Sequence, residues 1–175
     1  VVTTAASVVA VLPIGGCTEA NRPPPPAPQV TVACGGPTNI SSSGTYTRLE
    51  AAAGSQWWVT IGVLRNDCKS AITLSQVFQQ DQGSGLVTWT GRTGVYKSKD
   101  APFAFWPMTD APPFSPLEGA KLDPGSTVQL VALVTQPDKS LNKVPNFSLS
   151  FFANSLFATL PLRSSVRICG CKKVA

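Results

Sequence analysis

An all-β fold, a β-sandwich, is what this sequence predicts, and three observations carry the prediction. Strand-like runs recur between turn signals from residue 30 to residue 169. Proline and glycine number 16 and 14 in 175 residues, which suits many short strands better than long helices. Residues 127–136 alternate Val128, Leu130, Ala132 and Val134 with Gln129, Val131, Leu133 and Thr135, so both faces are largely apolar and the run reads as a central strand.

Taken in order, the candidate strands are residues 30–34, 45–50, 56–65, 71–78, 85–93, 127–136, 146–152 and 165–169. Asn66-Asp67 breaks the chain between two strong strands, and Asp123-Pro124-Gly125-Ser126 is a turn leading into the central one. Trp57 and Trp58 are adjacent in a strand and therefore point to opposite faces. One of them is expected in the core, the other exposed or under a loop. The helical candidates are two short, poorly capped stretches, 49–53 and 153–160. The length suits one domain, large enough to bury about 70% of its unfolded surface.

The chain is expected to divide into four parts. Residues 1–16 are signal-like, 17–28 form a tether, 29–171 form the β-sandwich domain, and 172–175 are a tail. The first charged residue is Glu19, and residues 1–12 are apolar or small. Sixteen residues broken by Pro13, Gly15 and Gly16 are short for a membrane span of about 20 residues, and their length fits the apolar region of a secretory signal. They lack an initiator methionine and a basic leading segment, so the expected signal begins upstream of Val1. Residues 8–12 also make a good strand run, the alternative for this segment.

The tetrapeptide Ile14-Gly15-Gly16-Cys17 resembles the lipobox of bacterial lipoproteins. That resemblance implies cleavage before Cys17, acyl chains such as palmitate on the cysteine, and an extracytoplasmic domain anchored to a bacterial cell membrane. Two acyl chains on one cysteine anchor stably where a single chain is marginal. Residues 18–28, with five prolines, then read as a semi-rigid stalk of roughly 30 Å.

Cysteine parity agrees with this reading. With Cys17 set aside for lipid, Cys34, Cys68, Cys169 and Cys171 remain, an even number suited to two disulfides in an exported domain. Cys169 and Cys171 lie two apart, so a bond between them would be strained. Each is expected to reach back to Cys34 or Cys68. The alternative is a Cys-x-Cys dithiol that exchanges disulfides or holds a soft metal such as Cu(I).

The segment 58–78, strand, Asn-Asp turn and strand, is similar to the early hairpin of bacterial immunoglobulin-like domains. So is the Pro-Gly-Ser turn before an apolar strand. The resemblance implies an immunoglobulin-like antiparallel β-sandwich, here disulfide-stapled, and says nothing of activity.

Composition excludes several chemistries. There is no histidine, which removes Ser-His-Asp and Cys-His catalysis and every His-ligated metal site. The net charge is +5, but the basic residues are scattered from Arg22 to Lys173 rather than forming the stripe that nucleic-acid binding needs. Of the carboxylates, only Asp100 and Asp110 bracket a distinctive segment, and most others sit at turns. No catalytic residue, cofactor or metal site is expected.

That segment, residues 100–117, crowds Phe103, Phe105, Trp106 and Phe114 among five prolines. Connections this long are uncommon in compact domains unless they are functional or disordered. Prolines lower the entropic cost of holding aromatics in place. Two readings follow. Either the loop plugs one end of the core, or it forms an apolar platform for an envelope protein, a glycan or a lipid. The functional expectation is a lipid-anchored, non-catalytic binding or scaffold module of the cell envelope with its partner surface on this loop. The alternatives are a thiol-disulfide or copper-handling protein, and an extracellular filament subunit that donates residues 1–12 as a strand.

Overall fold

The computed structural model describes residues 30–33, 39–43, 46–97, 105–162 and 165–170. In chain order the strands are β1 (Val30–Ala33), β2 (Asn39–Ser43), β3 (Tyr46–Glu50), β4 (Gln56–Asn66), β5 (Ile72–Gln79), β6 (Thr88–Tyr96) and β7 (Phe105–Pro107). They continue with β8 (Ser115–Pro116), β9 (Lys121–Leu122), β10 (Thr127–Thr135), β11 (Leu141–Lys143), β12 (Phe147–Ala153), β13 (Leu156–Leu162) and β14 (Ser165–Cys169). A 3-10 turn at Met108–Asp110 is the one helical element among the described residues. None of their helices is long and apolar enough to cross a membrane. The described residues are nearly all β, as the sequence predicts.

The strands form three sheets. The large sheet runs β1-β2-β4-β10-β6-β8, with β7 also paired to β4. β4 is long enough to hold two partners along one edge, β7 at Trp57–Val59 and β2 at Val63–Asn66. A four-stranded sheet runs β13-β12-β5-β9. The third sheet is β11-β14-β3, in which β14 and β3 run parallel; the other strand pairs are antiparallel, and an isolated Leu86–Lys143 bridge is parallel too.

The pairing of β4 with β10 lies at the centre of the large sheet. Val128, Leu130, Ala132 and Val134 of β10 and Val59, Ile61 and Leu64 of β4 bury one face in the main core. A bulge at Ile61 lets the pattern pass from odd to even positions, because Gly62 pairs with Leu130 while Thr60 pairs with Val131. Gly62 thus turns inward, where an added Cβ would meet Leu162 Cδ2 at 3.2 Å. The four-stranded sheet supplies Ile72, Leu74, Phe147, Leu149, Phe151 and Leu160 to the same cluster, and β14 adds Val166 and Ile168. Burying each such side chain is worth about 1.5–3 kcal/mol.

Three sequence expectations need correction. The stretch 153–160 is not helical; it closes the β12–β13 hairpin. Asn154 and Ser155 both take positive φ (49° and 65°), the geometry of a two-residue hairpin turn, and this overrides the helix propensity of the surrounding Ala, Leu and Phe. The stretch 49–53 is likewise not helical. It ends β3 and enters a turn in which Ser55 N–H donates to Ala52 C=O at 3.1 Å. Segments 56–65 and 71–78 do not pair as a hairpin, because β4 belongs to the large sheet and β5 to the four-stranded one.

Asn66 makes that crossing. It is fully buried, and its side-chain Nδ2 donates to Ser70 C=O at 3.0 Å and to Leu122 C=O at 2.8 Å. Its Oδ1 accepts from Cys68 N–H at 2.9 Å. Its backbone N–H donates to Ser126 C=O and its C=O accepts from Gly125 N–H. One amide therefore ties the end of β4 to the 67–71 turn, to β9 and to the turn before β10. A second tie joins the β5–β6 and β11–β12 connections. Asp81 Oδ2 accepts from Asn146 N–H at 3.0 Å and from Lys143 Nζ at 3.3 Å.

Replacing Asn66 by Ala removes three hydrogen bonds to backbone groups, two of them buried, and should cost about 2–4 kcal/mol in urea unfolding. The Asn146 N–H, with help from the Lys143 ammonium against a smaller opposing effect of burial, holds the Asp81 carboxyl below its ordinary value. A depressed carboxyl pKa adds stability above the unfolded value that is lost as pH falls through the folded one. Asp81→Asn should therefore lose less stability than the parent between about pH 5 and pH 2, measured by urea unfolding at each pH. The partial exposure of this pair keeps the difference small.

Candidate functional site

β10 buries its second face too, and that face builds the site. Val131 and Leu133, with Trp58 from β4, form a second small apolar cluster on the side of the large sheet away from the main core. Strand alternation sends Trp57 against the main core and Trp58 to this outer face. Trp58 is the more buried of the two, because the segment after β7 covers it.

The cover is the aromatic, proline-rich connection. β7 pairs Trp106 with Trp58 and Phe105 with Val59. Alternation along β7 then turns Phe105 to the main core and Trp106 to the outer cluster, joined there by Ala111 and Phe114. From Phe105 onward the connection lies across a sheet face, with Phe105 and Leu117 against the main core and Trp106 and Phe114 on the outer cluster. Rings meet at close range: Trp58–Phe114 at 4.8 Å, Trp106–Phe114 at 5.3 Å, Tyr96–Trp106 at 5.3 Å and Tyr96–Phe114 at 5.9 Å between centroids. Tilted and edge-on pairs of this kind add about 0.5–1.5 kcal/mol each beyond burial.

β6 supplies what sequence reading missed. Arg92, Gly94 and Tyr96 occupy alternate positions, and the Arg92 guanidinium carbon stands 5.4 Å from the Trp58 ring centroid. Gly94 pairs with Val131 on one side and Pro116 on the other. A Cβ at Gly94 would come within 2.8 Å of Phe114 Cβ, so the absent side chain makes the seat for Phe114. The one sequence signal for this was a glycine inside a strand, which marks close approach of another segment.

Beside this cluster runs a groove of about 590 Å³, bounded by Trp58, Arg92, Met108, Phe114, Leu117 and Glu118 among others. A smaller hollow of about 330 Å³ shares Gly91, Thr93, Leu117 and Glu118 with it and extends to Trp89, Gln76 and Ser75. Met108 is exposed, as are Arg92 and Glu118. The groove thus pairs an aromatic floor with one cation, one anion and the hydroxyls of Thr93 and Ser115. That combination suits an amphipathic ligand held by stacking and hydrogen bonds. A third cavity, about 540 Å³, is lined by Lys97, Lys121, Asp123 and the turn at 124–126, and contains no aromatic ring.

Other sequence candidates fall as follows. Trp106 and Phe114 come together, Phe105 points away from them, and Phe103 lies outside the described residues. Asp110 is exposed in the 3-10 turn and Asp100 is outside the described residues. Cys68 and Cys169 are buried, and neither is a free thiol. Cys17, Cys34 and Cys171 are outside the described residues. Gly170 is buried, and a Cβ there would collide with the Asp138 carbonyl and Lys139 Cα. Packing against the β10–β11 turn is thus sufficient reason for the glycine of Cys-Gly-Cys. No protein-family model matches the sequence, and no curated protein matches it.

Gly94→Ala should displace Phe114, lower stability by about 1–3 kcal/mol, and shift tryptophan emission to longer wavelength as Trp58 gains water. Unchanged emission and stability would remove the seat argument.

Proposed function

We propose that this chain is a lipid-anchored, non-catalytic binding or scaffold module of a bacterial cell envelope, extracytoplasmic, with its partner surface in the groove beside Trp58, Arg92 and Phe114. The observation that carries the reading is the placement of the aromatic connection. It is held rigidly on an outer sheet face and leaves a hollow of about 590 Å³ along its edge, rimmed by Arg92, Met108 and Glu118. Pockets that recognise ligands combine apolar walls with a few placed polar groups. The partner chemistry that fits is an envelope glycan or a protein side-chain cluster able to stack on the aromatic wall. Lipid acylation of Cys17 and the stalk at 18–28 belong to the same proposal and rest on the lipobox resemblance.

The finer fold reading is an immunoglobulin-like sandwich stapled by two disulfides among Cys34, Cys68, Cys169 and Cys171. It is supported by the core that the large and four-stranded sheets share, and by the burial of Cys68 and Cys169 without a free thiol. The burial of Cys169 weighs against thiol exchange or copper handling by the Cys-x-Cys pair, since an exchanging thiolate needs access. Residues 1–12, which a filament subunit would donate as a strand, lie outside the described residues.

Trp106 and Phe114 hold the fold, so rim residues make the cleaner test. Met108→Ser combined with Glu118→Lys should leave the unfolding midpoint unchanged and reduce retention on purified envelope fractions about tenfold. Equal retention would sink the groove as the partner surface. For the anchor, intact mass of the protein from a bacterial membrane fraction should show a chain starting at Cys17 with diacylglyceryl mass and four oxidised cysteines. A chain keeping residues 1–16 without lipid would overturn it.

A further inference from the structure

We infer that the tip of the β12–β13 hairpin is a membrane-contact site, which inserts into the interface of an anionic lipid bilayer. Among the described residues the exposed large hydrophobics are Phe78, Met108, Phe152, Leu156 and Phe157. Phe152, Leu156 and Phe157 sit together at this one hairpin end, with Leu156 62% and Phe157 60% exposed. Phe152 and Phe157 are directly opposite partners, their rings 5.4 Å apart. Phe78 continues the same outer face of the four-stranded sheet, two rows away, opposite Ser148.

The tip is apolar on both faces. Phe152 and Phe157 point to the outer side, whereas Leu156 lies on the inner side but beyond the end of the core, opposite Ala153. The turn between them is two residues long, and the Asn154 side chain is engaged, accepting from Ser70 Oγ at 2.5 Å. The hairpin therefore presents a short, fixed wedge, and little conformational freedom is lost when it inserts.

Charge selects the partner. From Phe147 to Leu162 there is no ionisable residue. Two lysines flank the tip instead. Lys121 stands in the same cross-strand row as the ring pair, in the order Lys121, Thr73, Phe152, Phe157, so all four share one face. Lys69 adjoins Ser70, which touches the turn through Asn154. Both lysines are exposed, and the neighbouring Arg65 and Asp67 pair with each other at 2.7 Å. An apolar wedge between cations fits the boundary between acyl chains and anionic headgroups, where apolar burial and electrostatic attraction add. The surface belongs to the four-stranded sheet and so lies across the shared core from the aromatic groove. The inference does not depend on acylation of Cys17.

The test uses the oxidised full chain carrying Cys17→Ser, with vesicles of phosphatidylcholine and phosphatidylglycerol, and of phosphatidylcholine alone. The parent should co-sediment with the anionic vesicles. Leu156→Ser with Phe157→Ser should reduce the bound fraction about tenfold or more, with the unfolding midpoint as the fold control. Lys69→Glu with Lys121→Glu, which alters only exposed charges, should abolish the preference for anionic vesicles whatever happens to the apolar variant. The inference is overturned if the parent stays in solution, if either variant binds like the parent, or if the hairpin variant instead converts a dimer to a monomer in sedimentation velocity. A self-association result would assign the wedge to a second copy of the chain. None of these outcomes bears on the groove, whose test uses different residues.

Discussion

The rest of the structure depends on a strand pair that must be kept dry on both sides. β4 and β10 form the centre of the large sheet, and β10 buries Val128 through Val134 on alternating faces. One face is covered by the four-stranded sheet, the usual solution for a layered β fold. The other would leave Trp58, Val131 and Leu133 in water, and no second full sheet is present among the described residues to cover them. The aromatic connection does this with few residues, since Trp106 and Phe114 bring large area and only two side-chain torsions each. The groove is a by-product of covering a sheet with a loop, because a loop is narrower than the face it covers.

This makes clear what the sequence could and could not show. The two-faced pattern of residues 128–134 announced a central strand, and adjacent Trp57 and Trp58 announced one ring on each face. The first signal is sustained over several residues and the second follows from strand alternation, the form in which sheet structure is written locally. β7, β8, β9 and β11 are two or three residues long, too short to hold a period. The hairpin strand β13 contains Ala, Leu and Phe, residues as compatible with a helix as with a strand. Its state is decided by the turn before it and by seven cross-strand partners on β12. The aromatic connection was recognisable as unusual from composition. Its position over an outer face was not, because that depends on which side of β4 the short β7 joins. Arg92 and Tyr96 were silent for the same reason. They lie on β6, whose sequence Thr-Trp-Thr-Gly-Arg-Thr-Gly-Val-Tyr shows no apolar alternation.

The turn at Asn66 shows how a single polar residue can set topology. Two strong strands joined by Asn-Asp have the local signature of a hairpin. Burying the Asn66 amide among carbonyls from the 67–71 turn and β9 directs the chain to the opposite layer instead. A buried amide is costly unless every group finds a partner, and here the partners come from segments distant in sequence. The crossing therefore forms only when those segments are in place, so a local-looking turn is in fact held by long-range structure.

The three-stranded sheet has a consequence for when this protein becomes a folded object. β14 fits between β11 and β3, parallel to a strand more than a hundred positions earlier, and Gly170 is wedged beneath the Asp138–Lys139 backbone. The last described residues thus join the first part of the chain to its final third. A chain emerging from a ribosome cannot close this sheet until residue 169 has come out. Topologies dominated by such distant pairings mature slowly. Until β14 arrives, β3 and β11 are unpaired edges open to wrong neighbours. Synthesis from the N-terminus therefore leaves β3 waiting while more than a hundred residues are made, and the sheet is sealed only by the last of the described strands.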